Sequence, residues 1–247
     1  MLAMVWRVHH FDEIESTNTW VASQALEGAP EGLVAVADFQ SRGRGRRGRA
    51  WEAAPRTSLL CSVLLRPHVD LDDLQLGVAA VSLAVRSALV RLCGVRPDLK
   101  WPNDLLVGER KVGGVLSEVI ATDDGTALVV GFGVNLTDAP PGATSVAAEA
   151  GVTLSAPALL DIVLEEIEPR RAQLEVREGR ESLREEYQRA LVTLGRRVRV
   201  ETAEEVHEGE ARGVDARGRL VVEVAGSERA FSAGDVVHVR PSDDESR

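Results

Sequence analysis

Three apolar runs separated by two tight turns constrain this chain more than any other feature. Leu105–Val107, Arg110–Ile120 and Ala127–Leu136 are joined by Gly108-Glu109 and by Asp123-Asp124-Gly125. So short a connection joins antiparallel neighbours only, because a parallel pair needs a crossover of about a dozen residues or more. The segment therefore imposes an antiparallel or mixed sheet. VWRVHHF (5–11) and LVAVADF (33–39) read as further strands, and SLLCSVLL (58–65) as one covered on at least one face. Ser16-Thr17-Asn18 offers capping side chains ahead of a helix over 18–27, closed by Gly28. Apolar residues recur at helical spacing from Asp72 to Cys93, with Gly94 as the stop, and residues 155–194 predict a charged-faced helix broken near Glu178-Gly179. This mixture predicts an α+β fold, a mixed and largely antiparallel sheet packed by helices.

After Gly195 the pattern changes to short alternating strands, VRVET, HEGEARGV, RLVVEV and DVVHVR, separated by Gly and Asp turns. They predict a small β-barrel-like module. The expected division is 1–194 for a main domain, 195–241 for the β module and 242–247 for a polar tail. No run reaches the ~18–20 uninterrupted apolar residues of a membrane span, and the N-terminus lacks a signal-peptide pattern. Cys61 and Cys93 sit in apolar segments without metal-ligand spacing. These features predict a cytoplasmic protein with no membrane partner.

Against a formal net charge of −10, residues 42–49 concentrate five arginines and three glycines in eight positions. Such a run makes neither a core helix nor a central strand. It reads as a loop in which backbone N–H groups and guanidinium forks surround an anion. The acidic whole argues against general affinity for nucleic acid, so the arginines serve a local purpose. Lys100-Trp101-Pro102-Asn103-Asp104 places an amide and a carboxylate at a strand–loop junction, although a plain turn would read the same way. In Arg110–Leu116 and Gly131–Leu136 glycines interrupt strand patterns, which marks close approach of a ligand or another backbone. Lys111 stands just before the first pair, and Asn135 follows the second with both a donor and an acceptor. The five histidines are scattered, and no serine or cysteine has a basic neighbour suited to covalent catalysis. Cations and donors of this kind fit stabilisation of phosphate charge.

Taken in order, Ser16-Thr17-Asn18, Gln40 with GRGRRGR (43–49) and Trp51, KWPNDLL (100–106), RKVGGVL (110–116) and GFGVNL (131–136) resemble the biotin protein ligases. The resemblance spans residues 8–140 by motif. It implies a class II synthetase-like catalytic fold with an SH3-like C-terminal barrel. It further implies the joining of biotin to ATP with Mg²⁺, release of pyrophosphate, and transfer of biotin from biotinyl-5′-AMP to a lysine of a biotin carboxyl carrier domain.

By the same resemblance, Ser16, Thr17, Asn18 and Gln40 contact the biotin ring. Gly43, Arg44, Gly45 and Arg46 belong to the loop over biotin and the acyl phosphate, with Trp51 beside it. Lys111 bridges the biotin carboxylate and the α-phosphate, and acts with Arg44 and Arg46 as the catalytic set. Gly114 and Gly133 admit the ligand. Arg47, Arg49, Asn103, Asp104 and Asn135 fall to the nucleotide. Only some 15 residues precede the Ser-Thr-Asn block, too few for the winged helix-turn-helix of relatives that bind DNA, so no DNA partner is expected. Residues 137–153 lack the aromatic with which some relatives cover the adenine. A lipoate ligase, a nucleic-acid-binding regulator and a non-catalytic biotin sensor are the competing readings.

Overall fold

The computed structural model describes residues 4–202 and 204–239. Its larger sheet has seven strands in the order β1-β2-β3-β7-β6-β5-β4. They are β1 (Arg7–Phe11), β2 (Leu33–Ala37), β3 (Ser58–Leu65), β4 (Asp98–Lys100), β5 (Asp104–Val107), β6 (Arg110–Thr122) and β7 (Gly125–Asn135). Only β1 and β2 pair in parallel, joined by the crossover helix α1 (Thr17–Leu26); every other neighbouring pair is antiparallel. The β5–β6 and β6–β7 turns fall where the sequence puts them, with Gly108 and Gly125 both at positive φ. The sheet is thus mixed and largely antiparallel, in an α+β fold.

Helices cover both faces at the centre of the sheet, so all eight residues of β3 are buried. On one face Leu59, Cys61, Val63 and Leu65 join the main core beneath α2 (Leu76–Cys93), α4 (Ala156–Leu174) and α5 (Arg177–Ala190). On the other, Leu64 meets Val21 and Ala25 of α1, with Ala127 and Val129 beside them. Full burial of each such side chain contributes ~1.5–3 kcal/mol, enough to fix the register of the central strands.

Several sequence expectations change. The stretch from 72 opens as a short 3-10 turn, Leu71–Gln75, and α2 begins only at Leu76. Residues Asp73–Cys93 are apolar and long enough to cross a membrane by length and composition, yet 61% of that window is buried inside the protein. The break in the second helical segment lies at Glu175-Val176, where Val176 is extended. Gly179 sits inside α5, because a Cβ there would stand 2.4 Å from the Gln173 carbonyl oxygen. A short helix, α3 (Val146–Ala150), capped by Ser145, follows β7 without any apolar period to announce it.

The C-terminal sheet has five strands, in the order β11-β10-β9-β8-β12, all antiparallel. They are β8 (Arg197–Glu201), β9 (Val206–Val214), β10 (Leu220–Val224), β11 (Ser227–Phe231) and β12 (Asp235–His238). The sequence pattern missed β11, since four of its five residues are exposed and carry no alternation. Arg240 and the tail 242–247 lie outside the described residues. Trp101, joined to Pro102 by a cis peptide, is buried between the two sheets and donates its indole N–H to the Gly218 carbonyl.

Candidate active site

Strand register builds a depression on the α1 face of the large sheet. Leu60, Gly133, Gly114 and Asp104 stand in one cross-strand row; Ser62, Gly131 and Leu116 stand in the next. Three glycines in two rows leave a trough where side chains would otherwise rise. Both β7 glycines are required. A Cβ on Gly131 would lie 1.9 Å from Asn18 Oδ1, and one on Gly133 would lie 2.5 Å from the Trp51 ring. The trough opens into a cavity of about 300 Å³, at the lower end of the range for small-molecule sites.

One end of the cavity is polar and uncharged. Ser16 caps α1 by accepting from the Thr19 N–H, which turns Thr17 and Asn18 inward; both are buried. Gln40 Oε1 accepts from the Thr17 backbone N–H at 2.8 Å. Thr17 Oγ1 lies 2.7 Å from Ser62 Oγ, and Ser62 donates to Asn18 Oδ1 at 2.6 Å. Ser62 was not singled out from the sequence. Its signal is a lone hydroxyl in the middle of an apolar strand, on the same strand face as Leu60.

The other end is cationic. Lys111 Nζ pairs with Asp104 Oδ1 at 2.6 Å and lies 5.4 Å from the centroid of the Trp51 ring, a cation–π arrangement. Arg46 also lines the cavity; burial draws its pKa below the ordinary guanidinium value, while Asp235 and Asp104 push it back up. A guanidinium keeps its charge under such a shift. The buried Trp51 Nε1 has no hydrogen-bond partner among the described residues.

The arginine loop is a folded hairpin. Gly45 N donates to Arg49 O, Trp51 N donates to Gly43 O, and Arg44 bridges Ala50. Its tip, Arg46–Gly48, places Arg47 and Gly48 at positive φ. Gly43 is required at the base, because a Cβ would stand 2.4 Å from the Trp51 carbonyl oxygen. The C-terminal sheet holds the tip: Arg46 donates to Gly234 O, Arg47 to Glu201 O and Thr202 O, and both Arg47 and Arg49 pair with Asp235. In the sequence Asp235 only opened the strand DVVHVR, and its place at the lip of the cavity comes from tertiary docking alone.

Of the residues singled out from the sequence, Ser16, Thr17, Asn18, Gln40, Arg44, Gly45, Arg46, Arg49, Trp51, Asn103, Asp104, Lys111, Gly114 and Gly133 line the cavity. Gly43 and Arg47 are not among the lining residues; Gly43 is buried at the base of the hairpin and Arg47 is held by the C-terminal sheet. Asn135 stands apart: it is buried at the end of β7 and donates its side-chain amide to Thr144 O, away from the cavity wall. Among the described residues no group of three or more His, Cys, Asp or Glu side chains is placed to hold a metal by itself.

The profile of the biotin/lipoate A/B protein ligase family matches residues 10–135, and that of the biotin protein ligase C-terminal domain matches residues 193–239. A biotin–[acetyl-CoA-carboxylase] ligase from Mycobacterium tuberculosis is 37% identical over 237 residues, covering 91% of this chain and 86% of the relative. The chain belongs to the biotin protein ligases. It is a ligase by membership. A bifunctional ligase/repressor from Bacillus subtilis is 28% identical and is matched over 72% of its length and 92% of this chain. The Aquifex aeolicus biotin protein ligase in complex with biotin and ATP superposes with a TM-score of 0.80 at 26% identity, over 94% of this chain and 98% of that one. The family therefore has a solved member whose fold matches the helices, the mixed sheet and the C-terminal sheet described above.

Proposed function

We propose that the chain activates biotin with ATP to biotinyl-5′-AMP and passes the biotinyl group to one lysine of a biotin carboxyl carrier domain of a biotin-dependent carboxylase. The observation that carries this reading is the polarity of the cavity. Hydroxyls and amides at one end suit a neutral ring with N–H and C=O groups, and cations at the other suit two anions that must meet.

In the first step a carboxylate oxygen of biotin bonds to the α-phosphorus, and pyrophosphate leaves with the electrons of the broken P–O bond. Lys111 stands where it lowers the repulsion between the anions and holds the charge that develops, with Arg46 beside it. Arg44, Arg49 and Asn103 flank the path, and Trp51 forms a wall against which the ligand lies. In the second step the carrier lysine nitrogen attacks the acyl carbon, AMP leaves, and the nitrogen loses a proton as the amide forms. Mg²⁺ would enter on the triphosphate, with Asp104 as the carboxylate nearest Lys111; it would supply further charge neutralisation there. The division at residue 195 separates the strands that build the trough from the module that holds the loop.

The deciding assay combines the protein with ATP, Mg²⁺, biotin and a carrier domain, and reads the mass of the carrier lysine. Biotinylation is the expected result. Pyrophosphate exchange with lipoate and none with biotin would overturn the proposal, as would biotin binding without any exchange. A second expectation concerns retention of the intermediate. Asp235→Ala removes the carboxylate shared by Arg47 and Arg49, so biotinyl-AMP should leave the enzyme about two- to fivefold faster, ion pairs this exposed being worth no more than about 1 kcal/mol. Release is measured by trapping the free adenylate in the absence of carrier. An unchanged rate would show that the loop is held without this contact.

A further inference from the structure

Glu118 stands one row beyond Ser62, Gly131 and Leu116 on the same sheet face, aligned with Val129 and Leu64. Its two oxygens serve different elements. Oε2 accepts from Asn18 Nδ2 at 2.9 Å, and Oε1 pairs with Arg44 Nη2 of the arginine loop. Arg44 also donates to Thr19 Oγ1 of α1 at 3.3 Å. One carboxylate thus joins the ring end of the cavity to the loop above it.

A proton count gives this contact a directing role. Gln40 Oε1, Thr17 Oγ1, Ser62 Oγ and Asn18 Oδ1 form three successive oxygen–oxygen contacts, of 3.0, 2.7 and 2.6 Å. Only two hydroxyl hydrogens are present for three contacts, so one contact lacks a hydrogen. An ionised carboxylate only accepts. Glu118, at the shorter distance, and the Leu116 carbonyl, 3.4 Å from the same nitrogen, therefore turn Asn18 Nδ2 toward them and Oδ1 toward Ser62. Ser62 must then donate to Asn18, which leaves its lone pairs to accept from Thr17. Gln40 Oε1 retains the Thr17 backbone N–H at 2.8 Å. The result is a one-way relay, Thr17 to Ser62 to Asn18 to Glu118, in which the Thr17 hydroxyl, on the cavity wall, keeps lone pairs as acceptors while Ser62 is wholly buried behind it. Acceptors are what the two N–H groups of a ureido ring require.

We propose that Glu118 is a positioning residue for the biotin site: it holds the Asn18 amide, sets the Thr17 hydroxyl as an acceptor through Ser62, and holds Arg44 over the ring. This rests on the biotin reading above and extends it to a residue that does not line the ring end of the cavity. Glutamine at 118 keeps size and polarity but can donate as well as accept, so it leaves only the long Leu116 contact to set the direction of the relay and no longer carries the charge for Arg44.

The test is calorimetric titration of biotin, without ATP or carrier, into the full-length wild type, Glu118→Gln, Asn18→Ala and the double variant. Biotin affinity should fall about tenfold or more in E118Q, the order expected when one buried polar contact is mispaired. The double variant should bind more weakly than N18A by less than the E118Q factor, because Glu118 acts mainly through Asn18 and only its hold on Arg44 is independent of that side chain. In pyrophosphate exchange the change should appear in KM for biotin rather than in kcat. Wild-type affinity in E118Q, or two losses that multiply in the double variant, would overturn the proposal. Failure of the wild type to bind biotin would overturn the underlying reading as well, and the wild-type arm alone reports it. Glu118→Asp, whose shorter carboxylate cannot reach both partners, carries the same expectation if E118Q does not fold.

Discussion

Replacing Lys111 by alanine should cut pyrophosphate exchange by about a hundredfold to a thousandfold, in a protein that remains folded. The ammonium lines the cavity, paired with Asp104 and set against Trp51. Its side chain is 38% exposed and that of Asp104 is 28% exposed, so loss of the pair costs the fold no more than about 1 kcal/mol. The loss to chemistry is larger, since two anions would have to approach with the principal screening charge gone. Lys111→Arg separates charge from fit. The lysine Cε and Nζ lie 3.1 Å from where a Gly114 Cβ would stand, so the broader guanidinium does not settle in the same place and activity should be only partly restored. Thermal melts accompany the exchange assay. Near-normal exchange in the alanine variant would remove Lys111 from the proposed chemistry.

Gly131→Ala should weaken biotin binding by about a hundredfold or more, since it strips the ring end of two buried hydrogen-bonding groups at once. The added methyl would stand 1.9 Å from Asn18 Oδ1 and 3.2 Å from Ser62 Oγ. To clear the methyl, Asn18 would have to move the oxygen that Ser62 now bonds. Gly131 does not use a positive φ, so the backbone accepts alanine and the effect is steric alone. Stability should fall by about 1–3 kcal/mol, as for other overpacked sites. ATP binding, measured separately, should change little, because the cationic end is built from other rows. Equal losses for biotin and ATP would show a collapsed cavity and not a damaged ring site.

The strands and their glycines were legible because each depends on local chemistry. Tight turns at Gly108-Glu109 and Asp123-Asp124 left no choice of strand direction, and interrupted apolar runs marked close approach. That approach is made by different neighbours: Gly113 by the Gly133 carbonyl, Gly114 by Lys111, Gly131 by Asn18 and Gly133 by Trp51. Ser62, Glu118 and Asp235 were not legible. The first two gain meaning only from a register that aligns β3, β7 and β6, although Glu118 shares strand parity with Gly114 and Leu116. Asp235 gains its meaning from the docking of a separate sheet. The exposed strand β11 escaped for the opposite reason, since no buried face imposed a pattern. Asn135 shows the limit of reading by motif: its amide serves the loop before α3 by bonding Thr144.

The ties between the hairpin tip and the C-terminal sheet bear on how this protein can be rebuilt. Three of its bonds end on main-chain carbonyls, at Gly234, Glu201 and Thr202. Carbonyls are supplied by any sequence, but only where the backbone follows the same path. A chimera given the C-terminal module of another ligase must therefore reproduce the trace of two turns as well as the acid at 235. The module is not a portable accessory; its shape is part of the specification of the loop.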